Sequence, residues 1–235
     1  VSVVTTPGHE AVPLLANTVS DALKLTTERL AEAGIETARV DAEHLLAHVL
    51  RTGRAGLYAA SRRRLSVEEE RAFDVLVARR ARREPLAYVV REWGFRRLIL
   101  EVDPRVLVPR PETEIVVERA LALLGHSEAP RVLDVGTGSG AIALAIADEH
   151  PGALVTGIDA SGHALAVARM NVSRTGLAVE LRREDLFDGL PPGPWDLVVS
   201  NPPYVGPDEI DLLEPEVRDW EPRAALVGDG ATEAV

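Results

Sequence analysis

The chain contains no cysteine, which excludes disulfides, thiolate nucleophiles and cysteine-ligated zinc. It has no apolar run approaching the roughly 20 residues that span a bilayer. Nor does its N-terminal stretch carry the basic start and apolar core of a signal peptide. A cytoplasmic location without membrane contact is therefore expected. The six histidines show no metal-ligand spacing except His44 and His48. With no carboxylate motif nearby beyond Glu43, these two read as ordinary helix residues, and no metal site is expected.

What is present is the composition of an ordinary globular protein, 46% hydrophobic and 27% charged over 235 residues, with room for two domains. The net charge of −11 is uneven. Residues 1–85 carry 13 basic and 12 acidic side chains, leaving 13 basic and 25 acidic for the remainder. An acidic surface repels phosphate backbones, so no direct nucleic-acid partner is expected. The basic clusters Arg62 to Arg64 and Arg79-Arg80, Arg82-Arg83 read as solvated helix ends and faces.

Residues 14–83 space their apolar positions helically, and Ser66-Val67-Glu68-Glu69 resembles an N-cap with an acidic first turn. The spacing predicts a small helical domain over 1–85. From Leu86 to Val108 the aromatic and β-branched content predicts a strand pair, a hairpin linker over 86–111. From 112 to 235 helices alternate with strands at 131–135, 153–158, 178–182 and 195–200, which predicts an α/β fold. Its parallel sheet would be covered by helices on both faces, with ligands at the carboxyl ends of the strands. Four strands are fewer than such sheets usually have, and the chain starts at Val1, so a fragment lacking C-terminal strands is expected.

Val132 to Gly140 reads as a buried strand running into a glycine loop and a helix. Glycines there let backbone approach a ligand, and the helix N-terminus offers free N–H groups. Gly136-x-Gly138-x-x-Ala141 also satisfies the dinucleotide pattern, so a nicotinamide or flavin enzyme stays open on the loop alone. Asp134, at the strand end, suits a cationic amino-acid group better than a pyrophosphate. Asp159 closes the next strand, where it can accept from ribose hydroxyls. Asp185-Leu186 follows the third strand and is expected beside an adenine ring.

Asn201-Pro202-Pro203-Tyr204 follows the last apolar strand and points to a planar amide or amine nitrogen as the reacting group. A carboxamide nitrogen is a poor nucleophile because its lone pair is delocalised. The Asn201 side-chain oxygen and the Pro202 carbonyl are acceptors that can hold both N–H hydrogens and aim the nitrogen's π-face. The prolines stiffen this acceptor pair, and Tyr204 offers an aromatic wall. Asn201, Pro202 and Tyr204 are thus the candidate catalytic residues, and with Pro203 they form the candidate substrate site.

Six stretches together carry a specific likeness: Asp41 to Leu50, Glu84 to Tyr88, Val106 to Glu114, Leu133 to Gly140, Ser200 to Tyr204 and Glu221 to Leu226. On them the chain resembles the peptide chain release factor glutamine methyltransferases, Pro109-Arg110-Pro111-Glu112-Thr113-Glu114 being the decisive segment. The resemblance implies a Rossmann-like methyltransferase sheet and S-adenosylmethionine as cofactor. It implies that Gly136, Thr137, Gly138, Ser139, Gly140, Asp159, Asp185 and Leu186 bind this cofactor, and Asp134 and Asn201 are expected to bind it with them. Asn201 to Tyr204 would hold the glutamine of a Gly-Gly-Gln loop, and the helical domain would grip the release factor. Two positions depart from the family's usual pattern: Arg91 stands near a customary glycine and Leu186 where an aromatic residue is frequent. The competing readings are an adenine-N6 DNA or RNA methyltransferase, which shares Asn-Pro-Pro-Tyr, and a non-catalytic cofactor-binding protein.

Overall fold

The computed structural model describes residues 18–228. Positions 14–17 of the expected helical region, His9, and the chain end at Val235 lie outside the described residues. The chain forms two compact units, divided between Val90 and Arg91.

In the first unit, α1 (Val19–Glu32), α2 (Ala38–Leu50), α3 (Arg54–Ala59), α4 (Val67–Arg80) and α5 (Leu86–Val90) enclose one core. Ser66 caps α4 as expected, and with Glu69 it closes a capping box. Leu30, Leu45, Leu46, Phe73 and Val77 are buried at its centre. The arginine cluster at 79–83 is more than a solvated helix end. Arg79 donates to Glu84 and to the Tyr88 and Val89 carbonyls, and Arg80 donates to buried Asp41 at 2.6 Å. Glu43, 1% exposed, accepts from Arg39, Arg54 and Tyr58. His44 and His48 lie on the exposed side of α2.

Strand character expected from residue 86 begins later. Residues 86–90 are the helix α5, opened by N–H bonds from Tyr88 and Val89 to the Pro85 carbonyl, and it buries Tyr88 and Val89. Here burial against the helical core outweighs the β preference of Tyr-Val-Val. The hairpin is shorter than expected: β1 (Glu92–Phe95) pairs antiparallel with β2 (Leu98–Glu101) across Arg96-Arg97. Arg91, near the family's customary glycine, has φ 60, a left-handed conformation that a glycine adopts without Cβ strain.

In the second unit, α6 (Pro111–Leu124), β3 (Arg131–Val135), α7 (Ala141–Glu149), β4 (Leu154–Asp159), α8 (Gly162–Thr175), β5 (Val179–Arg183) and β6 (Leu197–Ser200) follow in order. Two short helices, α9 (Pro215–Arg218) and α10 (Arg223–Leu226), come after them. The four strands form a parallel sheet in the order β5-β4-β3-β6. Sequential strands run outward from β3 on one side and β6 lies on the other, so the order reverses beside β3. That reversal opens a crevice at the carboxyl ends of β3 and β6. Val132, Val155 and Val199 pack one face of the sheet against α6, α7 and the hairpin, while Leu133, Val135 and Ile158 cluster on the other.

Candidate functional site

Two cavities open at the carboxyl edge of the sheet. The first, about 260 Å³, is lined by Gly136 to Ser139, Ala141, Ile142, Asp159 to Ser161, Arg105 to Leu107, Thr113, Asn201, Pro203 and Ala224-Ala225, among others. The second, about 220 Å³, is lined by Leu107, Arg110, Asn201, Pro202, Tyr204, Val205, Leu213, Val217, Ala225 and Leu226. Asn201 stands in both walls. A larger hollow of about 590 Å³ adjoins the first at Ala160 and includes Asp185, but it touches neither the glycine loop nor Asn201.

The loop between β3 and α7 turns through three glycines at positive φ: Gly136 at 71°, Gly138 at 57° and Gly140 at 81°. The N–H groups of Gly136 and Thr137 both bond to the Ile158 carbonyl, which ties the loop to β4. At Gly157 of β4 a Cβ would lie 2.7 Å from Thr137 Oγ1, so only glycine lets the loop approach so closely. The Asp159 carboxylate accepts from Gly138 N at 2.9 Å and from Ser161 N at 2.8 Å, and it faces the first cavity.

Asp134 does not line either cavity, contrary to the direct contact expected of it. Strand alternation puts it on the same face as Val132, beneath α7, at 0% exposure. There it accepts from Thr137 Oγ1 at 2.7 Å and from Ala143 N at 3.2 Å, while its Oδ1 has no hydrogen-bond partner. Burial pushes its carboxyl up to about 6, aided by the Asp159 charge and opposed by the two donors. It acts on the loop from behind.

The other expected positions are only partly gathered. Asp185 caps a 3-10 turn over 186–188, accepting from Phe187 N, and lines the adjoining hollow. Leu186 is half exposed and lines none of these cavities, because the turn that starts there carries its side chain outward. In Asn201 to Tyr204 successive residues face opposite ways, as along an extended chain. Pro202 and Tyr204 line the second cavity and Pro203 the first, so Pro203 does not share the cavity expected for all four. Tyr204 is 71% exposed.

Three contributors escape sequence reasoning. Thr113 Oγ1 accepts from Asn201 Nδ2 at 3.4 Å, which leaves the Asn201 side-chain oxygen as the outward acceptor. Asn171, 0% exposed, exchanges both backbone bonds with Glu101 and donates to the Ser139 carbonyl, joining the hairpin to the glycine loop. Glu221, buried, takes a bond from Arg110 at 2.5 Å. Burial raises its carboxyl above the usual range, with Arg110 acting against the rise. The only sequence signal for Thr113 and Glu221 was their place in distinctive motifs.

The glycine-loop cavity and the proline-and-tyrosine cavity share an asparagine wall at the edge of a parallel sheet whose α/β fold is that of the Rossmann-like methyltransferases. Residues 114–213 match the methyltransferase small domain and residues 21–90 the PrmC N-terminal domain. The chain is 46% identical over 211 residues to the release factor glutamine methyltransferase of Geobacter sulfurreducens, covering 90% of this chain and 74% of that one. It is 43% identical over 203 residues to the corresponding enzyme of Caulobacter vibrioides, covering 86% and 70% respectively. The Koribacter versatilis enzyme is 40% identical over 212 residues, at 90% and 76% coverage. The chain belongs to the release factor glutamine methyltransferase family.

Proposed function

We propose that this protein transfers a methyl group from S-adenosylmethionine to the side-chain amide nitrogen of a glutamine in the Gly-Gly-Gln loop of peptide chain release factors. The observation that carries the reading is Asn201, placed in the wall common to the two cavities. The glycine-loop cavity is the cofactor side, and the residues present fit that group. Its loop glycines put no Cβ over the cavity, and the Asp159 carboxylate in its wall favours a ligand with hydroxyls. Among the described lining residues the one cation, Arg105, is paired with Asp103 at 2.5 Å, which disfavours the diphosphate of a dinucleotide. Gly136 to Gly140 and Asp159 would hold the cofactor directly, with Asp134 acting through the loop and Asp185 toward the adenine. When bound, it supplies an electrophilic methyl group on a sulfonium sulfur.

The chain's own contribution is orientation. The Asn201 side-chain oxygen and the Pro202 carbonyl take the two amide hydrogens, so the nitrogen presents its π-face toward the cofactor side, and once methylated it sheds one of the two to solvent as a proton. Thr113 holds the Asn201 amide in the required sense. Tyr204 closes over the amide plane from the exposed side. We assign recognition of the release factor to the helical unit, and the cytoplasm as the place where the two meet. The test is the intact mass and peptide map of a purified release factor after incubation with this protein and S-adenosylmethionine. One added methyl group on the Gly-Gly-Gln glutamine is expected; methylation of DNA or RNA instead would replace this reading with the adenine-N6 one.

A further inference from the structure

The segments Pro109 to Glu114 and Glu221 to Leu226 meet in one ion pair. Arg110 Nη2 donates to Glu221 Oε1 at 2.5 Å across 111 positions of chain. The Glu221 side chain is 1% exposed and that of Arg110 is 31% exposed, so the carboxylate lies inside while the guanidinium reaches the surface of the second cavity. Among the described residues lining that cavity, Arg110 is the only cation. A guanidinium carries five N–H donors in a rigid planar fork. A bond from Nη2 to a buried carboxylate restricts where the remaining donors can point.

We propose that Arg110 is a specificity residue of the acceptor cavity that donates to a main-chain carbonyl oxygen of the substrate loop, and that Glu221 is the positioning residue that aims it. The inference rests on reading this cavity as the acceptor site. The reacting side-chain carbonyl is the wrong target. A donor on that oxygen draws the nitrogen lone pair further into the carbonyl and slows attack. A main-chain carbonyl carries no such penalty, and binding it restricts the enzyme to glutamine held within a peptide loop. Arg110 therefore contributes to substrate affinity and not to the methyl-transfer step.

The test is steady-state methylation of a purified release factor by the full chain and by Arg110→Met, Arg110→Lys and Glu221→Gln, with calorimetric binding of S-adenosylmethionine to each. A charge-assisted hydrogen bond lost from binding raises KM for the release factor about 10- to 100-fold in Arg110→Met. The same variant keeps kcat within about twofold and its cofactor affinity unchanged. Arg110→Lys recovers part of the loss and Glu221→Gln raises KM by less than Arg110→Met. If Arg110→Met does not fold, the double variant Arg110→Met with Glu221→Met, which strands no buried charge, carries the same comparison. An unchanged KM in a folded variant, or a fall in kcat alone, overturns the proposal. Wild-type protein that binds the cofactor yet leaves the release factor unmethylated overturns the acceptor-site reading beneath it.

Discussion

On the side of Asn201 proposed for the cofactor the wall is secured from within. Asp134 and Asn171, both 0% exposed, hold Thr137, α7 and Ser139 through hydrogen bonds, and Asp159 fixes Gly138 from β4. On the side proposed for the acceptor, apart from the Arg110–Glu221 pair, the wall is secured by covalent stiffness. Pro202 and Pro203 restrict the backbone, while Tyr204 stands 71% exposed. The difference suits what each side is proposed to receive. A small cofactor gains most from a preformed cradle, because a site already ordered loses little entropy on binding. A loop of another protein brings its own backbone and needs an open approach, which a rigid but exposed turn provides.

The comparison is most easily broken at the residue both sides share. Asn201→Ala removes the acceptor proposed to orient the amide and is expected to lower kcat about 10²- to 10³-fold, a loss of the size seen when one preorganised polar group is deleted. Calorimetry on the same variant finds the cofactor affinity little changed; intact turnover would remove the orienting role. On the secured side, Asn171→Leu leaves the Glu101 N–H and C=O and the Ser139 carbonyl without partners. Chemical denaturation is expected to register a loss of about 3 kcal/mol, accompanied by weaker cofactor binding.

Asp134 gives that side a pH signature. Its folded carboxyl holds a proton more tightly than the unfolded one, about 6 against 3.8. Its contribution is therefore fully present below the unfolded value and is lost as pH rises through the folded one. Urea titrations of the cofactor-free protein should show on the order of 2–3 kcal/mol more decline over that window in wild type than in Asp134→Asn. The smallest effect on stability belongs to the open side. Tyr204→Ala changes unfolding free energy by no more than about 0.5 kcal/mol, while raising KM for the release factor. A large stability loss there would show that the acceptor wall is packed after all.

Much of this was legible in the chain. The strand and helix alternation from 112 onward appears within a few residues of where period and turn residues predicted it, since each element there is locally consistent. Residues 86–90 were not legible, because Tyr-Val-Val reads as strand until the core that buries Tyr88 and Val89 is known. Within the site, the glycine loop and Asn201 announce themselves by spacing. Which way a strand-end residue faces is set by register, so Asp134 read as a ligand contact though it lies beneath α7. Thr113 and Asn201 are 88 positions apart, Asn171 and Glu101 70 apart, and nothing local to either partner encodes such pairings. Arg91 shows the reverse case: its φ of 60° accounts for the glycine usual near that position, which the sequence alone did not explain.

The contrast between the two sides is tested most directly by native-state hydrogen exchange of the cofactor-free protein. The amides of Gly138, Gly140 and Ala143, bonded to Asp159, Thr137 and Asp134, are expected to exchange only through large-scale unfolding, while Tyr204 and the turn at 207–212 exchange through local opening. Equally fast exchange on both sides, with protection of the glycine loop gained only on adding S-adenosylmethionine, would contradict a preformed cofactor cradle.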